Sequence, residues 1–379
     1  MPLGTRIMGP AIPEEPGKTL IVLASGLGDT LMFTPALRLL RETWPRTRLV
    51  ALTVRETERE ALEHHRDLDE VRFAPLLRLG VAEVVRQILA LRREKFDLVL
   101  LPCPGNRMHY NLLAWLSGAP HRAGFRYLQQ SRLNLDFLNT QLLAHRDDVH
   151  NAEHNLALVE LLTGRLRTKM GPGHPPLALP TTPADRDAAE KYLEARDGAT
   201  EGWIGLHISS SRIKQMHRKC WPVERFASLV KHLEKKYPGL RYFIFCGYDD
   251  AEDSRRLAAL LEGRARVLEN LSVRVIAEVM RRCRAVVTND SGLLHVAVAM
   301  KVPTVALFGP TNPGRSGPWG GRAVVVRQPM SCSPCFYHTS SDLACPANLD
   351  FACIRKLPVE WVVDAVETIL RVDTPPPRG

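Results

Sequence analysis

Short apolar runs and amphipathic stretches alternate along most of this chain, and the alternation starts a second time after a proline-rich break. TLIVLAS (19–25) stops at Gly26 and reads as a strand buried on both faces. TLMFTPALRLLRETWP follows as a helix with Leu37, Leu40 and Trp44 on its apolar side and Pro45 at its end. RLVALTV (48–54) is the next strand, GVAEVVRQILALRREKF an amphipathic helix, and DLVLLPCP a further strand. Strand and helix in this order specify a doubly wound α/β domain.

GPGHPPLALPTTP (171–183) holds five prolines and two glycines and reads as a linker. The pattern then resumes with a helix at 184–196, strands WIGLHIS (203–209) and RYFIFCG (241–247), helices at 222–236 and 251–262, and strands AVVTN (285–289) and TVALFG (304–309). A last helix places Val359, Val362, Val363, Val366, Ile369 and Leu370 on one face, which must dock on something. The expected architecture is therefore α/β, with two Rossmann-like doubly wound domains facing a central cleft. Its parts are a loose N-terminal arm (1–18), a first domain (19–170), the linker (171–183), a second domain (184–357) and a C-terminal amphipathic helix (358–372). Ligands of open α/β sheets bind beyond the C-terminal ends of the strands.

A length of 379 residues suits two domains, and 45% apolar with 24% charged residues is a globular composition. No apolar run reaches the ~18 residues of a spanning helix. The opening residues, with Glu14 and Glu15, lack the apolar centre of a signal peptide, and the expectation is a cytoplasmic protein. The net charge of +10 is not gathered in a basic tail; its densest cluster is RIKQMHRK (212–219). Phosphorylated small molecules or an anionic membrane surface fit such a chain. Nucleic acid does not, since no aromatic-basic interleaving or zinc-finger spacing occurs.

The stretch TNDSGLLHVAVAMKVPTVALFGPTNPGRSGPWG breaks a buried strand with Asn289, Asp290, Ser291 and Gly292 and passes directly into an apolar helix. A strand end meeting a helix N-terminus offers backbone N–H groups and a positive dipole to an anion, and Gly292 lets a ligand approach. The alternative is that Asp290 or Ser291 only caps the helix. His295, one turn on, could reach the same anion or be a core residue. Ser209, Ser210 and Ser211 end a strand and could hydrogen-bond phosphate oxygens. Arg107, His109, Arg122 and Arg126 in the first domain suit phosphate and carboxylate groups, or are surface residues. Cys332, Cys335, Cys345 and Cys353 have the spacing C-x2-C-x9-C-x7-C, and four thiolates suit a structural zinc or iron with no catalytic part.

Taken together, the NDSGLLH stretch closely resembles the C-terminal signature of glycosyltransferase family 9, the lipopolysaccharide heptosyltransferases. SGLGDTLMFTPALRLLRETWP, GLHISSSRIKQMHRKCWPVERFASLV and CSPCF are similar to further segments of that family, in the same order, over residues 19 to 370. The resemblance implies a GT-B fold and an inverting transfer of heptose from an ADP-activated donor to a lipopolysaccharide core acceptor, with no cofactor for catalysis. It implies Asp29 as the general base that deprotonates the acceptor hydroxyl, with Gly26 and Gly28 bringing their loop close to the sugar. An N-cap role for Asp29 is the other reading. Lys219 in KCWP would meet the leaving diphosphate. Asp290, Ser291, Gly292, His295, Ser209 and Ser210 would hold the donor, Thr311 and Pro313 would shape a loop beside it, and Glu252 would meet the ribose. The acceptor, a lipid-linked saccharide at the inner face of the inner membrane, would contact Gly28, Arg107, His109, Arg122 and Arg126. A subgroup that heptosylates proteins carries an iron finger of four cysteines, which leaves a protein acceptor open. A nucleotide-sugar epimerase or hydrolase on the same architecture is the remaining alternative.

Overall fold

A computed structural model describes residues 5–7, 11–76, 78–105, 107–127, 133–164, 175–193, 202–247, 251–337 and 342–372. The chain divides into two units, Met1–Pro180 and Thr181–Gly379. Residues 171–174 of the expected linker lie outside the described residues, as do 248–250 just before Glu252.

Among the described residues the first unit has seven strands: β1 (Thr5–Ile7), β2 (Lys18–Leu23), β3 (Arg48–Thr53), β4 (Glu70–Phe73), β5 (Leu98–Leu100), β6 (His121–Arg126) and β7 (Gln141–Ala144). Their order in the sheet is β1-β7-β6-β5-β2-β3-β4. All neighbours are parallel except β1, which runs antiparallel along β7. The arm expected to be loose thus contributes an edge strand: its backbone at 5–7 pairs with residues 141–143. Helices α1 (Leu27–Thr43), α2 (Glu56–Leu62), α3 (Val81–Arg93), α4 (Met108–Leu116) and α5 (Asn151–Thr163) complete the unit. From β2 the chain moves one way to β3, while β5 lies on the other side of β2. That reversal makes the loops after β2 and β5 diverge, the usual place for a ligand in such sheets.

Helix α1 begins at Leu27 rather than at Thr30 and carries Pro35 within it. Proline cannot donate to the carbonyl four residues back. The Thr34 hydroxyl donates to that Leu31 carbonyl instead, at 2.7 Å, so the helix continues. Leu31, Leu37 and Leu40 are fully buried beneath it. Burying each Leu-sized side chain contributes about 1.5–3 kcal/mol.

The second unit carries α6 (Pro183–Leu193), β8 (Gly202–His207), α7 (Val223–Lys236), β9 (Leu240–Phe245), α8 (Ala251–Leu260), β10 (Ala265–Leu268), α9 (Val273–Arg281) and β11 (Cys283–Asn289). It continues with α10 (Gly292–Ala299), β12 (Thr304–Phe308), α11 (Pro313–Ser316), β13 (Ala323–Arg327), α12 (Ala352–Arg355) and α13 (Val359–Val372). Among the described residues its six strands are all parallel, in the order β10-β9-β8-β11-β12-β13. The reversal here falls between β8 and β11, so the loops that follow these two strands flank the switch point. The terminal helix α13 finds its partner inside this unit. Val362, Val366, Ile369 and Leu370 join the core formed by β8, β11, β12 and α7.

Candidate active site

In the second unit the loop after β11 and the segment after β8 meet at one point. The Asn289 side chain accepts from the Trp221 backbone N–H at 2.9 Å, and the Trp221 indole donates to the Leu357 carbonyl at 3.0 Å. This pins a fully buried Trp221 and the chain just before it. Two residues upstream, the Lys219 ammonium donates to Asp290 Oδ2 at 2.6 Å, with 11% and 8% of the two side chains exposed. Burial pushes the Asp290 carboxyl up, but the Lys219 charge and hydrogen bond, with the Thr311 hydroxyl and His295, together hold it below its ordinary value. Asp290 is therefore a carboxylate locked to Lys219, not a helix cap.

Ser291 is the N-cap of α10 by position, yet its side chain makes no capping bond. Its hydroxyl lies 2.9 Å from His207 Nδ1 instead. Thr288 Oγ1 is 3.2 Å from the same nitrogen, and Ser209 Oγ is 3.1 Å from Nε2. The Thr288 hydroxyl donates its proton to the Asn289 carbonyl at 2.9 Å, so towards His207 it accepts. The roles follow the ring tautomer: with the proton on Nδ1, Nε2 accepts from Ser209 and Ser291 accepts from Nδ1–H, keeping its own proton to give; with the proton on Nε2, Ser291 donates to Nδ1. Burial lowers the His207 pKa to about 4, so the ring is neutral near pH 7. His207 was not singled out in the sequence; its place two residues before Ser209 on an apolar strand hid it among core positions.

Ser209, Ser210 and His295 are buried around this point, and Gly292 opens α10. Between Ser210 and Lys219 runs a 3-10 segment, Ile213–Lys219, in which Lys214 and Gln215 take left-handed backbone angles. Thr311 is buried; Asn312 caps α11, whose first residue is Pro313. Arg315 on α11 is an unforeseen buried arginine that donates to the Phe336 carbonyl at 3.4 Å. Glu252 is exposed in the first turn of α8, after the C-terminal end of β9.

In the first unit, Gly26 is the N-cap of α1 at φ 130 and ψ 165, angles that favour glycine. The cap position being Gly26, Asp29 is not the cap; it lies half-exposed in the first turn. A side chain at Gly26 would meet Arg55 Nη1 at 3.6 Å and Asp29 Oδ2 at 4.0 Å, so both charged groups border this loop. Behind them sits Glu58, fully buried, accepting from the Val54 and Arg55 backbone N–H groups at 3.2 and 3.1 Å and from Arg55 Nη1 at 3.3 Å. Burial raises the Glu58 pKa, against Arg55 and the Val54, Arg55 and Gly26 N–H groups. Glu58 thus ties the loop after β2 to the loop after β3.

Arg107 caps α4 by position, at the C-terminal end of β5, and is exposed; His109 follows in the first turn, its pKa lowered by burial and then by Arg107. Arg126 ends β6 at the same edge. Arg122 does not join them. It lies near the N-terminal end of β6, and its guanidinium is spent on the carbonyls of Leu138, at 2.7 Å, and Ala119.

The expectation of a metal at the cysteines is not met. Cys332, Cys335, Cys345 and Cys353 are free thiols, and among the described residues no group of three or more His, Cys, Asp or Glu is placed to hold a metal ion. Cys353, on α12, packs beside Gly309 and Ile354, its sulfur 3.4 Å from where a side chain at Gly309 would begin, with the other three thiols near enough to act on it. Burial and the neighbouring thiols push its pKa up to about 11.

Residues 84–344 match the model of glycosyltransferase family 9 (heptosyltransferase). A lipopolysaccharide heptosyltransferase 1 of Pseudomonas aeruginosa is 35% identical over 156 residues, which are 41% of this chain and only 39% of that protein. A lipopolysaccharide heptosyltransferase 2 of Salmonella typhimurium is 26% identical over 82% of this chain and 88% of its own. Among solved structures, a family 9 glycosyl transferase from Veillonella parvula superposes with a TM-score of 0.76 at 23% identity, covering 97% of this chain and 100% of that one. The E. coli heptosyltransferase WaaC with ADP gives 0.62 at 20% identity, over 93% and 99%. These likenesses show a shared fold, the GT-B arrangement of two α/β units.

Proposed function

The chain belongs to glycosyltransferase family 9, and from that premise we propose that it moves a heptose from an ADP-activated donor to a lipid-linked core saccharide of lipopolysaccharide, with inversion. It is a glycosyltransferase by family. The donor reading draws on the ADP bound by the E. coli relative, and the acceptor reading on the names of the curated relatives.

The observation that carries the donor site is the Lys219–Asp290 pair beside an uncapped Ser291. An ammonium has three donors. Asp290 takes one and holds the side chain in a single position, and two remain for diphosphate oxygens. With His207 protonated on Nδ1, the Ser291 hydroxyl accepts from the ring and has its proton to give to the same anion, next to the N-terminus of α10. Charge on the leaving diphosphate grows as the glycosidic bond breaks, so Lys219 helps most in the transition state. Ser209, Ser210 and His295 line the phosphate side, Gly292 gives backbone access, and Glu252 is the ribose candidate. In the first unit, Asp29 is the proposed base: it takes the acceptor hydroxyl proton as that oxygen attacks the anomeric carbon from the face opposite the diphosphate. Gly28, Arg107, His109 and Arg126 are the acceptor candidates. A protein acceptor is not favoured: that reading rested on a four-cysteine metal finger, and among the described residues no group is placed to hold a metal ion.

The test is incubation with ADP- and UDP-sugars and a core-saccharide acceptor, followed by mass spectrometry. The proposal expects heptose added from the ADP donor alone. Release of free heptose with no acceptor product, or transfer from UDP-sugars only, would overturn it.

A further inference from the structure

Helices α3 and α4 present an unusual outer surface. The chain runs from β4 through α3 to β5 and on through α4 to β6, always in the same direction across the sheet, so both helices lie on one face and touch. Their inner sides supply Leu91, Tyr110, Leu113 and Ala114 to the core. Their outer sides are also apolar. Val81, Val85 and Leu89 recur every four residues on α3, and Met108, Leu112 and Trp115 form a second stripe on α4; all six are between 36% and 81% exposed. The loop against α4 adds exposed Leu133 and Phe137. An apolar face of this extent on a water-exposed surface marks an interaction site.

The charges around it name the partner. Arg78, Arg86, Arg92, Arg93 and Arg107 are exposed beside the stripes. Against them α3 sets Glu83 alone, and α4 has no acidic residue. Arginines bracketing apolar side chains with a tryptophan among them suit the boundary between anionic headgroups and acyl chains. A symmetric second copy fits poorly, since it would bring the arginines of both chains face to face. Both stripes also start at the ligand edge of the sheet: Val81 opens α3 just after β4, and Met108 opens α4 beside Arg107.

We propose that the outer face of α3 and α4 rests on a bilayer surface rich in anionic lipid, with Val85, Leu89, Leu112 and Trp115 entering the headgroup layer. The proposed lipid-linked acceptor gives this docking its purpose: the headgroup plane then meets the protein at Arg107 and His109. Vesicle binding needs neither donor nor acceptor, so it stands or fails separately from the proposed reaction.

The experiment is flotation of the full chain with vesicles of phosphatidylethanolamine and phosphatidylglycerol, and with phosphatidylcholine alone. The wild-type chain is expected to float with the first and weakly with the second, and less in high salt. The combined variant Val85→Ser, Leu89→Ser, Leu112→Ser, Trp115→Ser should bind at least about tenfold more weakly, the equivalent of ~1.4 kcal/mol, while circular dichroism shows it folded. Arg86→Gln with Arg93→Gln should remove the preference for phosphatidylglycerol while keeping the apolar stripes. A wild-type chain that stays unbound, a serine variant that floats equally well, or a serine variant whose only change is the loss of a dimer would overturn the proposal.

Discussion

Lys219→Ala is the most informative perturbation of the second unit. The Lys219–Asp290 contact is 2.6 Å long and nearly closed to solvent. Removing one member of such a pair strands the other in a medium that solvates it poorly, at a cost of about 3–5 kcal/mol. Asp290→Asn should cost a similar amount by stranding the ammonium. The double variant Lys219→Ala with Asp290→Asn buries no charge, and its deficit should fall short of the sum of the two single deficits by about 1–3 kcal/mol. The sign with pH is fixed too. In the wild type the Asp290 carboxyl sits below its ordinary value, so its contribution is present above the unfolded pKa and is lost as pH falls through the folded one. Without Lys219, burial dominates and raises that pKa. The variant's deficit should therefore grow from about pH 4 towards pH 7, because the folded carboxyl resists an ionisation that the unfolded one completes. Urea titrations read by hydrogen exchange of peptides from 202–219 and 283–299 report on the second unit alone. Single deficits that add to within about 0.5 kcal/mol, or that do not vary with pH, would refute the account of the pair.

Asp29→Asn should keep the fold, since Gly26 rather than Asp29 caps α1; turnover with donor and acceptor should fall about 10²–10⁴-fold, and wild-type turnover would remove Asp29 from the chemistry. His207 must stay neutral while folded, so stability should decline as pH falls from about 6.5 to about 4, by roughly 3 kcal/mol in all; a pH series of urea melts checks this, and His207→Asn should flatten that part of the curve. Gly26→Ala should cost about 1–3 kcal/mol because its backbone angles favour glycine, whereas Gly80→Ala, at an ordinary extended conformation with open space around it, should change the melting temperature little.

The repeat of strand and helix was legible because period and composition are local properties: buried parallel strands need continuous apolar runs, and a proline cluster breaks them. The same locality made the strand-end residues 289–292 stand out, since polar residues beside an apolar helix have few structural reasons to be there. Three things were not legible. Whether Ser291 caps its helix or leans on a histidine depends on β8 lying against β11, a pairing across some eighty residues of chain. Composition left open which of the basic residues in 212–219 matters and only the family resemblance pointed to Lys219; the contact itself follows from Asn289 holding Trp221, which leaves Lys219 against Asp290. The fate of Arg122 was fixed by three-dimensional position: it lies at the wrong end of its strand, with its guanidinium on backbone carbonyls. Sequence alone determined the layers and the ends of strands where chemistry can sit. The tertiary structure decided which side chains meet there, because hydrogen bonds and ion pairs act over a few ångströms and only the packed sheet brings distant loops that close.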